Sequence, residues 1–346
     1  MAKSTKRSEA WSLFDRIVEQ AAPNGDHTVP WVVDANGDRR FEPDYATLER
    51  LLGVPLHLKA GTQSGVPALA LDVWMSYELR RAGFTTNQVW PRPTNPRILP
   101  NAAAALVESL PIKLRKEVTE RIAKKSSIKG VTAASAPILG KNYFKQVDVI
   151  ITDWDTGPEL LVSTKRMDSS YGKNAANRVE ESYGDAKNLR LRHPLAALGF
   201  AFGLRSDILA KEPDVAEWLF DLLAKLGRED DAYHATCLIL MDYSDSVAVI
   251  EDSVDEPDLG ILAPGLEVSD DEEAEVPAVI PTAAVDKAIA DLPKVSILIK
   301  ETPPELAPER FLAELVSRVL ATTPVNVHKE VRRRRGAASG VASLAA

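Results

Sequence analysis

The chain has 346 residues, 45% of them hydrophobic and 27% charged, with a formal net charge of −8, the composition of an ordinary globular protein with ample core for one large domain or two modest ones. Its lone cysteine, Cys237, excludes an intrachain disulfide, and the five histidines at 27, 57, 193, 234 and 328 show no zinc-ligand spacing. No apolar run approaches membrane-spanning length and the opening M-A-K-S-T-K-R is no signal core, so a cytoplasmic protein without a membrane partner is expected.

Residues 8–21 place Trp11, Leu13, Phe14, Ile17 and Val18 at the spacing of an amphipathic helix, with Ser8 as its cap. A short strand pair is expected within 27–41 and a second helix over 44–52, so residues 1–60 read as a helical scaffold. Residues 66–82 predict a helix with Leu69, Val73, Trp74 and Tyr77 in one stripe, stopped by Gly83. Glu78 within it has two readings: an acid offered to a reaction centre, or a partner for Arg81 three residues on. Residues 88–100 contain four prolines and read as an extended loop, from which Arg92 and Arg97 either reach phosphates or line a plain connection. A helix over 102–125 and a small, flexible stretch at 130–137 lead, through 138–143, to the most informative segment.

That segment, Gln146 to Arg166, reads Q-V-D-V-I-I-T-D-W-D-T-G-P-E-L-L-V-S-T-K-R. Aliphatic and β-branched runs at 147–151 and 159–165 flank a stretch dense in turn formers, which predicts a β-hairpin. Ser163 and Lys165, two residues apart, share a face, and folding about Asp155 sets Asp148 opposite Ser163. An acid and a lysine on an otherwise apolar sheet are costly unless each other, or a metal ion, offsets them.

After the hairpin, residues 175–187 predict a helix whose buried stripe is Ala176, Val179 and Tyr183. Glu180 lies about 100° from Val179 and Glu181 about 200° away, so Glu180 is expected to turn inward. Residues 194–204 read as a buried helix, 214–226 as an amphipathic one, and 236–242 and 247–251 as strands. A strand at 294–300 and a helix at 308–320 follow. Charge is uneven: residues 112–207 carry 17 Lys and Arg against 11 Asp and Glu, a net of +6, whereas 210–300 carry 6 against 22, a net of −16. These shifts divide the chain into a scaffold (1–60), a core (61–250), an acidic linker or insertion (251–281), a strand and helix (282–325), and a basic tail (326–346) expected to be disordered around Arg332–Arg335.

An acid on one strand and an x-x-Lys triplet on the next resembles the catalytic hairpin of the PD-(D/E)-x-K nucleases. Where the family's second acid usually stands, two residues before the lysine, this chain has Ser163. That resembles a subgroup of type II restriction endonucleases with Ser-x-Lys, which take the missing carboxylate from the following helix, often within Arg-x-Glu; here Arg178-Val179-Glu180 follows. The resemblance, running from near Trp74 to about Leu204, implies an α/β restriction-endonuclease-like fold, a mixed central sheet flanked by helices, with a helical N-terminal region. It implies a Mg2+-dependent endonuclease acting on double-stranded DNA as a homodimer or homotetramer. In that frame Asp148 is the principal metal ligand, with Glu180 and the Thr164 backbone carbonyl beside it, Lys165 positions the attacking water, and Ser163 adds a hydrogen bond. Glu78 is an accessory acid, and Lys173, Asn174, Asn177 and Arg178 suit contacts to bases or phosphates; Arg178 equally suits Glu181. The bland alternative is a structural Asp148–Lys165 salt bridge, with Glu180 a surface residue, in a catalytically silent nucleic-acid-binding or interaction protein. A repair or recombination nuclease is a further reading.

Overall fold

The computed structural model describes residues 5–34, 36–124, 136–248, 261–262 and 276–337. Thr5 caps α1 (Lys6–Ala21), accepting the Ser8 N–H at 3.1 Å, so the helix starts before the expected Ser8. β1 (Trp31–Val33) and β2 (Arg39–Phe41) form the expected antiparallel pair. Asp44 caps α2 (Tyr45–His57), accepting the Thr47 N–H at 2.9 Å. The next helix, α3 (Val66–Ala82), ends at Gly83 with φ +113°, where a Cβ would also sit 3.0 Å from the Val331 nitrogen. Glycine is required there by both backbone conformation and space.

The proline-rich loop is not wholly irregular, since β3 (Val89–Trp90) adds to the sheet edge. The helix expected over 102–125 is two helices, α4 (Asn101–Ser109) and α5 (Ile112–Lys124), because Pro111 between them lacks an N–H and clashes with the preceding turn. β4 (Pro137–Leu139) and β5 (Phe144–Gln146) form a small sheet with β10 (Ile261–Leu262). The predicted hairpin is β6 (Val149–Asp153) and β7 (Gly157–Met167). After α6 (Tyr171–Arg190) come β8 (Ala197–Arg205), α7 (Ile208–Lys211), α8 (Pro213–Leu226) and β9 (Ala235–Asp242), then α9 (Thr282–Ala290) and β11 (Ser296–Ile297).

The main sheet has six strands in the order β11-β9-β8-β7-β6-β3; β7, β8 and β9 run parallel, and the pairings outside them are antiparallel. This is a mixed sheet flanked by helices. Residues 194–204, read as a buried helix, form β8 instead. The run is apolar because both faces of a central parallel strand are covered, a pattern it shares with buried helices. On one face Val149, Val162, Ala201 and Ile239 pack with α3 and with α10 (Pro308–Thr322); on the other Ile150, Leu161, Phe200 and Leu240 pack with α6 and α8. A Cβ on Gly199 would lie 2.7 Å from both Leu315 and Phe311, so α10 sits directly on β8. Each fully buried Leu or Phe in these layers contributes roughly 1.5–3 kcal/mol.

Two expectations near the C-terminus change. Asp245–Val247 is a single 3-10 turn where a strand over 247–251 was expected; residues 249–251 lie outside the described residues, as does most of 251–281. The Arg332–Arg335 run is not irregular chain but part of α11 (Lys329–Ala337). Arg332 donates to the Leu320 carbonyl at 2.8 Å and the Thr323 carbonyl at 2.9 Å, and Arg334 to the Arg81 carbonyl at 2.9 Å. These arginines satisfy the last carbonyls of α10 and α3, the groups a helix end leaves open. Residues 338–346 lie outside the described residues. No described helix is long and apolar enough to cross a membrane.

Candidate functional site

The β6–β7 register pairs Val149 with Val162 and Ile151 with Leu160, with an irregularity after Ile151. Extended by one residue, it brings Asp148 opposite Ser163, as the sequence predicts. Strand pairing stops there, and the Asp148 carboxylate takes over as acceptor: its Oδ2 receives the Thr164 N–H at 2.7 Å. The N–H and C=O of a strand residue face the same neighbour, so the Thr164 carbonyl is directed to the Asp148 side. The Thr164 side chain, on the opposite face from Ser163 and Lys165, reaches α3 and donates its hydroxyl to Asp72 Oδ1 at 2.5 Å. Asp72 and Asp148 both line a cavity of about 40 Å³, walled also by Trp11, Trp90 and Arg97. Arg97 is 1% exposed; it grips Asp15 through both terminal nitrogens at 2.8 Å and lies 3.7 Å from the Trp11 ring. The proline-rich loop thus delivers a locked guanidinium to the wall of a cavity that Asp72, Asp148 and Arg7 also line.

The other face of β7, which Asp148 borders from just before β6, holds a second polar group. Ser163 is buried and hydrogen-bonds the Tyr233 phenol, whose hydroxyl donates to the Ser182 carbonyl at 3.0 Å. Burial, with Asp185 and Asp148 nearby, raises the Tyr233 pKa above its ordinary value, so the phenol stays protonated. Asp185 of α6 is paired with Lys145 at 2.6 Å, both nearly enclosed. Lys165 is half-buried on this face.

The structure separates the other sequence candidates. Glu180 is exposed, whereas Glu181 is half-buried and 3.6 Å from Arg178, the pairing foreseen as the alternative role for that arginine. The inward turn expected of Glu180 is therefore corrected. The buried stripe of α6 is Ala175, Val179, Ser182, Ala186 and Leu189; of the expected stripe Val179 is buried and Tyr183 packs half-buried at its border, but Ala176 is exposed, so the buried face lies to one side of the expected one and leaves Glu180 exposed. Glu78 is fully enclosed, holding Arg81 at 2.7 Å and accepting the Asp44 N–H at 2.7 Å. Burial pushes its pKa up to about 7 although Arg81 opposes this. Glu78 joins α3 to the α2 cap, the structural reading of that residue. Asn174 is half-buried, Asn177 exposed and Arg178 half-buried at the start of α6; Lys173 lies there too, its side chain outside the described residues.

The sequence reading missed Asp72. A signal was present: it is the one acid in the apolar run A-L-A-L-D-V-W-M. Among the described residues, no group of three or more His, Cys, Asp or Glu side chains forms a ready metal-holding cluster. The oxygen donors of Asp72, Asp148 and the Thr164 carbonyl nevertheless suit a hard cation such as Mg2+, which takes one or two carboxylates and keeps several waters. No protein-family model, curated protein or solved structure matches the chain.

Proposed function

We propose that the chain is a Mg2+-dependent endonuclease that hydrolyses phosphodiester bonds in double-stranded DNA, in the manner of the type II restriction enzymes its hairpin resembles. The observation that supports this best is the sharing of Thr164 between carboxylates from two different elements, with Lys165 next in the same strand. In this reading Asp148, Asp72 and the Thr164 carbonyl would hold Mg2+, and Asp72 takes the part first given to Glu180. Bound there, the ion supplies charge neutralisation at the phosphate and a more acidic water.

The chain's own residues do the rest. Lys165 donates to a phosphate oxygen or to the attacking water and offsets charge that grows in the transition state. Ser163 stays bonded to Tyr233 and fixes the strand that carries Lys165. Arg97, fixed by Asp15 and Trp11, forms part of the wall against which these groups stand. Cutting both strands of a duplex calls for two such centres, hence a homodimer or homotetramer.

Plasmid cleavage tests this. Supercoiled DNA is expected to be cut with Mg2+, not with EDTA, and not by Lys165→Ala; cleavage by Lys165→Ala at the parent rate sinks the assignment. The lack of a three-carboxylate cluster among the described residues favours one second reading, a DNA-binding protein that does not cut. Salt-dependent duplex binding without cleavage under any divalent ion would establish that reading instead.

A further inference from the structure

Helices α4 and α5 differ from the rest of the fold in how little they bury. Of their described side chains only Ala104 and Ile122 are buried, while Leu106 is 64%, Ile112 84% and Leu114 45% exposed. Helices of nine and thirteen residues are too short to hold in water by themselves, and most helical stability in proteins comes from packing an apolar face. Leu114, Val118 and Ile122 recur every four residues along α5, which defines such a face. At Leu114 it is still open.

The tip of the β6–β7 hairpin is open in the same way. Trp154 is 91% exposed, and the turn is braced around it. Asp153 accepts the Trp154 N–H on Oδ1 at 2.7 Å and the Asn101 side-chain amide on Oδ2 at 2.9 Å. The second bond fixes the tip to the first residue of α4. From there α4 runs about 13 Å to the turn at which α5 begins, with Leu106 about midway. The two ends differ in charge. Residues 152–157 hold Asp153 and Asp155 and no base, whereas α5 has five Lys and Arg against Glu117 and Glu120, a net of +3. Lys113 and Lys116 stand exposed at its start; Arg115 is turned back on the Leu110 carbonyl at 3.1 Å, and Glu108, the one acid between the ends, accepts from Asn87 at 3.2 Å.

We propose that this face is the two-fold contact of a homodimer, with α4 of one copy lying antiparallel to α4 of the other about Leu106. A two-fold contact sets one surface against itself, and the opposite charges at the two ends of α4 suit that arrangement. Antiparallel placement brings the acidic tip of each copy to the basic start of α5 on the other, while a parallel one sets like charges together, which costs affinity. Leu106 then meets its own counterpart near the axis, and Trp154 covers Ile112 and Leu114 across it. An aromatic of this size buries about 150–250 Å², a substantial share of the roughly 800 Å² per partner in a stable interface.

Sedimentation of the full chain over a range of concentration and salt tests this without substrate, so its outcome is separate from that of the cleavage assay. A dimer is expected, loosened by salt. Trp154→Ala should weaken it at least about thirtyfold, the loss of a central aromatic anchor. Asp155→Lys and Lys116→Glu should each weaken it. An equimolar mixture of those two variants should dimerise again, since both contacts across the two-fold then join opposite charges. All three side chains are exposed, and far-UV circular dichroism is the control for fold. A chain that sediments as a monomer throughout, a dimer indifferent to Trp154→Ala, or a mixture no tighter than the single variants overturns the proposal. A monomer whose duplex binding falls on Lys116→Glu also overturns it, and would assign α5 to DNA instead.

Discussion

β7 carries polar residues on both faces, and the two sets differ in kind. Toward α6, Ser163 meets Tyr233, and Asp185 closes on Lys145 at 2.6 Å, a charge cancelled inside the fold. Asp72, from α3, and Asp148, opposite Ser163, each accept from Thr164, at 2.5 and 2.7 Å, and line one cavity. All of these acids are sheltered, so burial does not separate structure from chemistry. What separates them is the cavity: Asp185 closes on Lys145 within the fold, whereas Asp72 and Asp148 border open space, where a carboxylate with about four lone-pair sites can take a further partner. The same contrast recurs within α3, where Glu78 is enclosed and bound to Arg81 at 2.7 Å while Asp72 borders the cavity.

The largest expected effect breaks the structural half of this contrast. Glu78→Ala should cost about 3–5 kcal/mol in urea unfolding, because it empties an enclosed site and takes their acceptor from the Asp44 N–H and the Arg81 guanidinium, while Mg2+ binding by the folded protein is unchanged. A loss of Mg2+ affinity without loss of stability would move Glu78 to the other half. Next, Asp148→Asn should lower Mg2+-dependent plasmid cleavage at least about a hundredfold with the fold retained, more than the loss expected from an outer-shell partner alone. Asp72→Asn should lower it roughly tenfold or more, whereas Glu180→Gln should leave it unchanged; the opposite ranking would restore the carboxylate from α6. The smallest effect concerns pH and the scaffold alone. Burial first, then Arg80, Arg334 and Arg81, lower the His27 pKa from its ordinary 6.5 to about 4. The unfolded chain therefore binds the extra proton first, so this contribution to stability is present above pH 6.5 and is lost as pH falls toward 4. His27→Phe keeps a ring against Tyr77 and should flatten the decline of the urea midpoint over that range; an unaltered slope would remove His27 as its source.

Local chemistry was readable directly. The turn formers around Asp155 and the alternation on either side define the hairpin, and the observed register brings Asp148 opposite Ser163. Gly83 marks the end of α3 because its backbone takes φ +113°. The apolar run of β8 was not readable in this way, since a strand covered on both faces carries no period.

What the sequence by itself determined is thus the hairpin, the stop of α3 at Gly83, and the candidacy of Asp148 and Lys165, all of which follow from alternation and turn chemistry over a few residues. Tertiary structure alone decided which acid stands beside Asp148. Helix rotation depends on what packs against it: the small side chains of Ala175, Ser182 and Ala186 turn Glu180 to solvent, while the packing of α3 on β7 brings Asp72 to a threonine 92 residues away.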